Sequence, residues 1–312
     1  MAETSNLTLR YATLDVFTRT SFAGNPLAVV SVPPALQLSQ DQKQIIAREF
    51  NYSETVFLHE RLERAENACW PIDIFLTTAE VPFAGHPTIG TACHVLSQLE
   101  ARDDVVKGAF ITKAGRIELE YSRSEQLAKA SIPHDVHAHQ NALSQARLLE
   151  MQPTLAPYAS QLPAASPVVS IVRGMTFALV QLDSIEALGS ATTGSFRVDV
   201  TLDKDWDQSF VALYFFVCLP DSADGTRNLR TRMVEGSLED PATGSAASGL
   251  ASYLSLQEDV PGQTLKYAIT QGVELGRKSD IGVEITLGQD EGIETVLLSG
   301  SAVQVMEGSV AL

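Results

Sequence analysis

His86-Pro87-Thr88-Ile89-Gly90-Thr91-Ala92 and Asp240-Pro241-Ala242-Thr243-Gly244-Ser245-Ala246 share the pattern Pro-x-x-Gly-[Ser/Thr]-Ala at a separation of 154 residues. Each runs into a small and apolar stretch: Ile89, Ala92, Cys93, Val95 and Leu96 after the first, and Ala246, Ala247, Leu250, Ala251 and Leu254 after the second. A further pair, Gly24-Asn25-Pro26-Leu27-Ala28-Val29-Val30 and Gly174-Met175-Thr176-Phe177-Ala178-Leu179-Val180, lies 150 residues apart. Either match alone means little. Two at nearly one offset imply that the chain is written twice.

The segments around the repeat have an α+β pattern with strands in the majority. Alternating or continuous β-rich runs predict strands over Leu9–Thr18, Leu27–Val32, Cys69–Leu76, Ile117–Tyr121, Val168–Val172, Phe177–Leu182, Phe210–Cys218, Ile281–Leu287 and Val296–Val305. Helices are expected over Asp41–Phe50, Thr88–Leu99, Asn141–Glu150 and Ala242–Leu256. The second and fourth are apolar on all sides, which suits burial inside a curled sheet. The expected fold is therefore α+β, with two pseudo-symmetric halves, each a curled, mainly antiparallel sheet around a central helix. The halves fall at 1–130 and 131–299, the first completed by a C-terminal strand at about 300–312, and the Pro-, Gln-, Ala- and Ser-rich segment Ser124–Ala165 makes the crossing. A pseudo-twofold relation would turn both helix starts towards one cleft, with His86 and Asp240 on its opposite walls. Proline in the first turn leaves the following N–H groups available, and Gly90 and Gly244 admit a ligand to the backbone, so each helix start is an anion site on physical grounds.

Composition narrows the partners. The 312 residues carry 45% hydrophobic and 19% charged side chains, as in folded globular proteins, with a formal net charge of −16. The 22 Lys and Arg are scattered, which argues against nucleic acid and anionic membranes as partners. A small anion must be drawn in by helix N-termini or single basic side chains against the global field. Cys69, Cys93 and Cys218 form no CxxC pair, Met1–Arg10 lacks an apolar signal core, and Phe210–Leu219 is too short to span a bilayer, so a cytoplasmic protein is expected. GxxxxGK[ST], GxGxxG after a strand and GxSxG are all absent. His134-x-x-His137-x-His139 offers metal-ligand types, but it sits in the crossing segment with no carboxylate beyond Asp135. No metal and no cofactor is expected.

Five stretches in order, Gly24–Val29, Asn51-Tyr52-Ser53-Glu54-Thr55-Val56-Phe57, Gly85–Gly90, Glu239–Ala246 and Gln271-Gly272 through Gly276-Arg277, resemble the signatures of the phenazine-biosynthesis (PhzF-like) isomerase family. The resemblance spans almost the whole chain and implies the diaminopimelate epimerase-like fold, commonly as a homodimer. It implies that Glu54 is the proton-transferring base and acid, with His86 and Asp240 beside it in the chemistry. It also implies that Ser245, and less directly Ser53, contact a small anionic substrate; Gly85, Gly90 and Gly244 at the helix starts and Arg277, which could steer a carboxylate, complete the expected substrate-binding set. Read from the residues alone, Glu54 is equally a strand-start carboxylate, Asp240 a helix N-cap, His86 a structural histidine and Arg277 a surface ion pair.

The mechanism follows from a missing residue. The related epimerases and racemases supply two cysteines, one from each half, but the corresponding places here read His86-Pro87 and Asp240-Pro241, and Cys93 lies further along its helix. A single carboxylate most naturally removes a proton and returns it to another carbon on the same face, which is a cofactor-independent isomerisation. Epimerisation or racemisation with Asp240 or His86 as the opposite acid, elimination from a β-hydroxy acid, and non-catalytic binding of a small anion are the competing readings.

Overall fold

The computed structural model describes residues 7–62, 68–206, 210–258, 260–290 and 292–312. They cluster into two compact units, Met1–Ser131 together with Ser299–Leu312, and Ile132–Leu298. In the first unit Thr8–Val16 and Asn25–Val32 pair antiparallel, with Thr13 opposite Ala28. The chain passes through the helix Gln40–Phe50 and returns as Glu54–His59, parallel to Asn25–Val32 with Ala28 opposite Thr55. It then turns antiparallel into Ala68–Leu76, makes the short strand Glu80–Val81 and enters the helix Gly85–Leu96. Val105–Thr112 runs parallel to Ala68–Leu76, and Gly115–Ser122 and Leu127–Ser131 follow antiparallel. The last strand, Ala302–Ala311, pairs antiparallel with the first.

The second unit repeats this order. Val168–Val172 and Met175–Gln181 pair antiparallel, and Val211–Leu219 runs parallel to Met175–Gln181 with Ala178 opposite Leu213. Arg227–Glu235 is antiparallel to it, the short strand Leu238–Asp240 follows, and then comes the helix Gly244–Glu258. Thr264–Gln271 runs parallel to Arg227–Glu235 and antiparallel to Ser279–Leu287. Where the first unit edges its opening strand with Ala302–Ala311, the second uses His137–Ala138 against Val168–Val172.

Local chemistry explains the elements that flank the candidate residues. Ser39 and Gln42 form a capping box at the start of Gln40–Phe50, and Asn51 ends that helix in the left-handed region at φ 54°, where Asn is tolerated. Ile46 and Ala47 of this helix pack with Val30, Val32, Phe57 and Phe75. Because strand side chains alternate, Phe57 facing that cluster turns Glu54 and Val56 to the opposite face of the sheet. Of the helix Gly85–Leu96 every residue but His94 is buried, and much of Gly244–Glu258 is buried as well. These are the apolar helices that the repeat implies.

Boundaries differ where tertiary bonds compete with local pattern. Gly85–Leu96 begins three residues before the expected Thr88, while Gly244–Glu258 begins two after the expected Ala242. The expected helix Asn141–Glu150 is the strand Leu143–Ser144 followed by a short helix, Gln145–Met151, because the Ser144 hydroxyl caps the helix by accepting the Arg147 N–H. The run Val296–Val305 divides into Ile293–Gly300 and Ala302–Ala311, and Ser301 between them accepts the Phe17 N–H.

Candidate active site

Glu54 is the first residue of its strand and lies opposite Leu76 in the ladder. Its side chain is 14% exposed, and Oε2 lies 3.6 Å from Nδ1 of His86, whose side chain is 5% exposed. That separation is too long for a good hydrogen bond, though it makes the two side chains direct neighbours. Oε2 is buried with no hydrogen-bond partner among the described residues. Burial raises the Glu54 carboxyl from its ordinary 4.5 to about 7, against a hydrogen bond from the Ser53 side chain that lowers it. The fold thus brings Ser53, Glu54, Gly85 and His86 into one neighbourhood at the start of a strand and the start of a buried helix.

Two details shape the helix side. Ala84, the N-cap, has no side chain to offer, so no side-chain hydrogen bond caps Gly85–Leu96, although the Thr88 hydroxyl donates back to the Ala84 carbonyl at 2.8 Å. Gly90 has a packing role: a Cβ there would lie 2.6 Å from a Val16 methyl and 2.7 Å from a Leu27 methyl. The open backbone expected for ligand approach is, on that side, the place where the helix meets its strands. Cys93 is buried, and burial pushes its thiol up to about 12, which leaves it inert as a nucleophile.

Asp240, Gly244, Ser245 and Arg277 all belong to the second unit. Asp240 ends the strand Leu238–Asp240, and its Oδ2 accepts the Thr243 hydroxyl at 2.6 Å. The helix itself begins four residues later, at Gly244. Glu239 beside Asp240 forms a buried, two-pronged ion pair with Arg232, Nε to Oε1 and Nη2 to Oε2 both at 2.8 Å. Gln271, wholly buried, donates to the Asp240 carbonyl at 2.8 Å and to Thr243 Oγ1 at 3.0 Å, and accepts the Tyr214 hydroxyl at 3.1 Å. Gly272 follows at φ +74°, where a Cβ would fall 2.5 Å from the Pro241 carbonyl and 2.6 Å from that of Arg277. Residues 240–243 are tied to the sheet by these bonds, so the second helix starts later than the first. Ser245 is half-buried in the first turn of that helix, and half-buried Arg277 closes the turn through its N–H to the Gly272 carbonyl, 2.9 Å.

Known proteins resemble this chain in sequence and in fold. The sequence profile of the family described as phenazine biosynthesis-like protein (PhzC-PhzF) matches residues 14–308. The chain belongs to the phenazine biosynthesis-like family. It is 32% identical over 301 residues to an uncharacterized isomerase of Pasteurella multocida, covering 95% of this chain and 91% of that one. It is 29% identical over 309 residues to the trans-2,3-dihydro-3-hydroxyanthranilate isomerase of Pseudomonas aeruginosa, covering 97% and 99%. The crystal structure of the Bacillus anthracis phenazine biosynthesis protein of the PhzF family superposes with a TM-score of 0.76 at 19% identity, over 98% of this chain and all of that one. The diaminopimelate epimerase-like fold implied by the sequence is the fold observed, and the protein is an isomerase of this family. No helix among the described residues is long and apolar enough to cross a membrane.

For a member of the phenazine biosynthesis-like family, the internal repeat becomes informative at one position. Ala28 is opposite Thr55 in the first unit and the equivalent Ala178 is opposite Leu213 in the second, so the register counterpart of Glu54 is Ala212. The second half carries no glutamate there. Gln271 was legible only as a signature letter; its role as the bracket holding Asp240 and Thr243 needed the parallel pairing of Thr231 with Gln271. A buried amide whose hydrogen bonds reach a loop 28 and 31 residues away leaves no periodic trace in the sequence.

Proposed function

We propose that this chain is a cofactor-independent isomerase that shifts a proton between two carbons of a small carboxylate-bearing substrate, with Glu54 as the base and then the acid. The observation that carries the reading is a buried Glu54 oxygen with no hydrogen-bond partner among the described residues, on a carboxyl whose pKa is raised to about 7. Such a group is divided between its two forms near neutral pH, which suits a residue that must take a proton and give it back. Ionised Glu54 removes a proton from a carbon next to an electron-withdrawing system, the C–H electron pair moves into that system and the double bond shifts. The resulting carboxylic acid then returns the proton to the distal carbon. The carboxylate is regenerated, the electrons balance within the substrate, and no oxidant or reductant is needed.

His86 and Asp240 are the proposed partners in proton transfer, and Ser53, Gly85, Gly90, Gly244, Ser245 and Arg277 the proposed substrate contacts. His86, 3.6 Å from Glu54, favours the ionised carboxylate whenever it is itself protonated. Racemisation by two equivalent bases receives no support from the repeat, since Glu54 maps onto Ala212.

The substrate named for the Pseudomonas aeruginosa relative, trans-2,3-dihydro-3-hydroxyanthranilate, is the first probe. Turnover in D2O should give an isomer carrying deuterium at the new C–H position or the original hydrogen transferred internally. Glu54→Gln should lower kcat by about 10² to 10⁴-fold while KM changes little, because the amide keeps the size and polarity but cannot shuttle a proton. In the unmodified protein kcat/KM should rise with pH through an apparent pKa near 7. A Glu54→Gln variant with undiminished turnover would remove the single-glutamate mechanism.

A further inference from the structure

Outside this region the second unit gathers a cluster that the isomerisation does not use. His137 and His139 stand two residues apart at the edge strand, a spacing that puts both side chains on one face. Asp203 arrives beside them from a distant loop. His137 Nε2 lies 2.8 Å and His139 Nδ1 3.9 Å from Asp203 Oδ2, and one ligand atom from each of the three residues lies within 4.8 Å of the others. Three donors about 2.1 Å from a tetrahedral ion stand roughly 3.4 Å apart, so small side-chain rotations suffice to close them on one metal. His134, the first histidine of the tract, is elsewhere, with its ring nitrogens towards the carbonyls of Ile132 and Ile293.

The surroundings orient each donor. The Asp203 N–H donates to His139 Nδ1 at 3.2 Å, which fixes Nδ1 as the unprotonated nitrogen; an ion bound at the cluster takes the place of this N–H on its lone pair. Nε2 of the same ring meets Ser170 Oγ at 2.9 Å, and Ser170 in turn meets Thr176 Oγ1 at 2.6 Å. A histidine held by its other nitrogen is the usual support of a metal ligand. Asp203 is steadied by the Gln140 N–H at 3.2 and 3.3 Å to its two oxygens. Trp206 walls one side, stacked on His137 at 4.7 Å between centroids and edge-on to His139 at 5.5 Å. Arg173 lies over the same indole, with the Asp135 carboxylate 3.7 Å away and the Asp205 carbonyl accepting one of its N–H groups. His137 is 35% and Asp203 18% exposed, which leaves an entry path and a place for water as the fourth ligand.

We propose that His137, His139 and Asp203 form a binding site for a divalent transition-metal ion of the zinc class. Two imidazoles and one carboxylate suit that class better than Ca²⁺ or Mg²⁺, which favour all-oxygen sets. The ion ties the edge strand at His137 to the loop carrying Asp203, replacing the His137–Asp203 contact by bonds from both residues to one centre. The site is independent of the isomerase reading and is tested without any substrate.

Chelator-treated protein titrated with Zn²⁺ by calorimetry at pH 7.5 should take up one ion per chain with a Kd of about 10 µM or tighter. Asp203→Asn and His137→Gln should each weaken uptake roughly tenfold or more, with unchanged circular dichroism in the metal-free state. Cu²⁺ should quench Trp206 fluorescence at one equivalent, and the quench should vanish in Trp206→Phe, where Trp70 of the other unit remains as an internal control. Absence of saturable uptake, or uptake and quenching that survive both ligand substitutions, overturns the proposal.

Discussion

At the residue scale, burying the Glu54 carboxyl costs stability, and the cost depends on pH. A carboxyl whose folded-state pKa is about 7 and whose unfolded value is near 4.5 binds its proton more tightly when folded. Raising pH through that interval therefore destabilises the protein, and the penalty is complete above about pH 7. At ~1.4 kcal/mol per tenfold change in proton affinity, it amounts to roughly 3 kcal/mol. Glu54→Gln has no charge to desolvate. It should exceed the unmodified protein in urea-derived stability by roughly 2–3 kcal/mol at pH 8, and the gain should disappear near pH 4.5. Equal stability at both pH values would mean that Glu54 is hydrated in solution, and the raised pKa would lose its cause.

At the scale of elements, the turn after Thr264–Gln271 decides where Asp240 stands. Gly272 and Gly276 both have φ near +70°, but only Gly272 presses on its surroundings, with the Pro241 and Arg277 carbonyls inside 3 Å of any Cβ. Gly276 has nothing within 4 Å. Gly276→Ala should therefore cost about 1 kcal/mol, the ordinary expense of a left-handed alanine. Gly272→Ala should cost about 2 kcal/mol more, because backbone must move. Thermal denaturation of the pair separates conformational strain from collision, and equal losses would show that the Asp240 segment yields easily. Gly90 makes the corresponding demand in the first unit through side-chain methyls, which have more room to adjust.

At the scale of the whole molecule, the chain returns to its beginning. Ala302–Ala311 pairs along Thr8–Val16, and the Phe17 N–H bonds the Ser301 carbonyl at 2.7 Å. A chain ending at Gly300 exposes one edge of Thr8–Val16 and loses these bonds, each worth about 1 kcal/mol net. Hydrogen exchange by mass spectrometry should show protection in Thr8–Val16 falling by at least about tenfold, while Val168–Val172, edged by His137–Ala138, keeps its protection. Uniform loss across both units would show that their stabilities are not separable.

The sequence by itself determined what local periodicity and short motifs encode. The duplication, two helices apolar on every side, the strand excess and the ordered signatures around Glu54, His86 and Asp240 were all legible, because turn glycines, helix starts and apolar runs leave their mark within a few residues. Only the tertiary structure decided what depends on partners far away in the chain. Asp240 reads as a helix cap but ends a strand, since Gln271 and Gly272 hold residues 240–243 against the sheet. Gly90 reads as an opening for a ligand, and only the fold shows that its Cβ side is packed against Val16 and Leu27. The histidine tract reads as having no carboxylate beyond Asp135, and the fold supplies Asp203 from more than sixty residues away while removing His134. In each case the deciding partner is far away in the chain, and the packed fold is what brings a single hydrogen bond or steric contact to bear against local propensity.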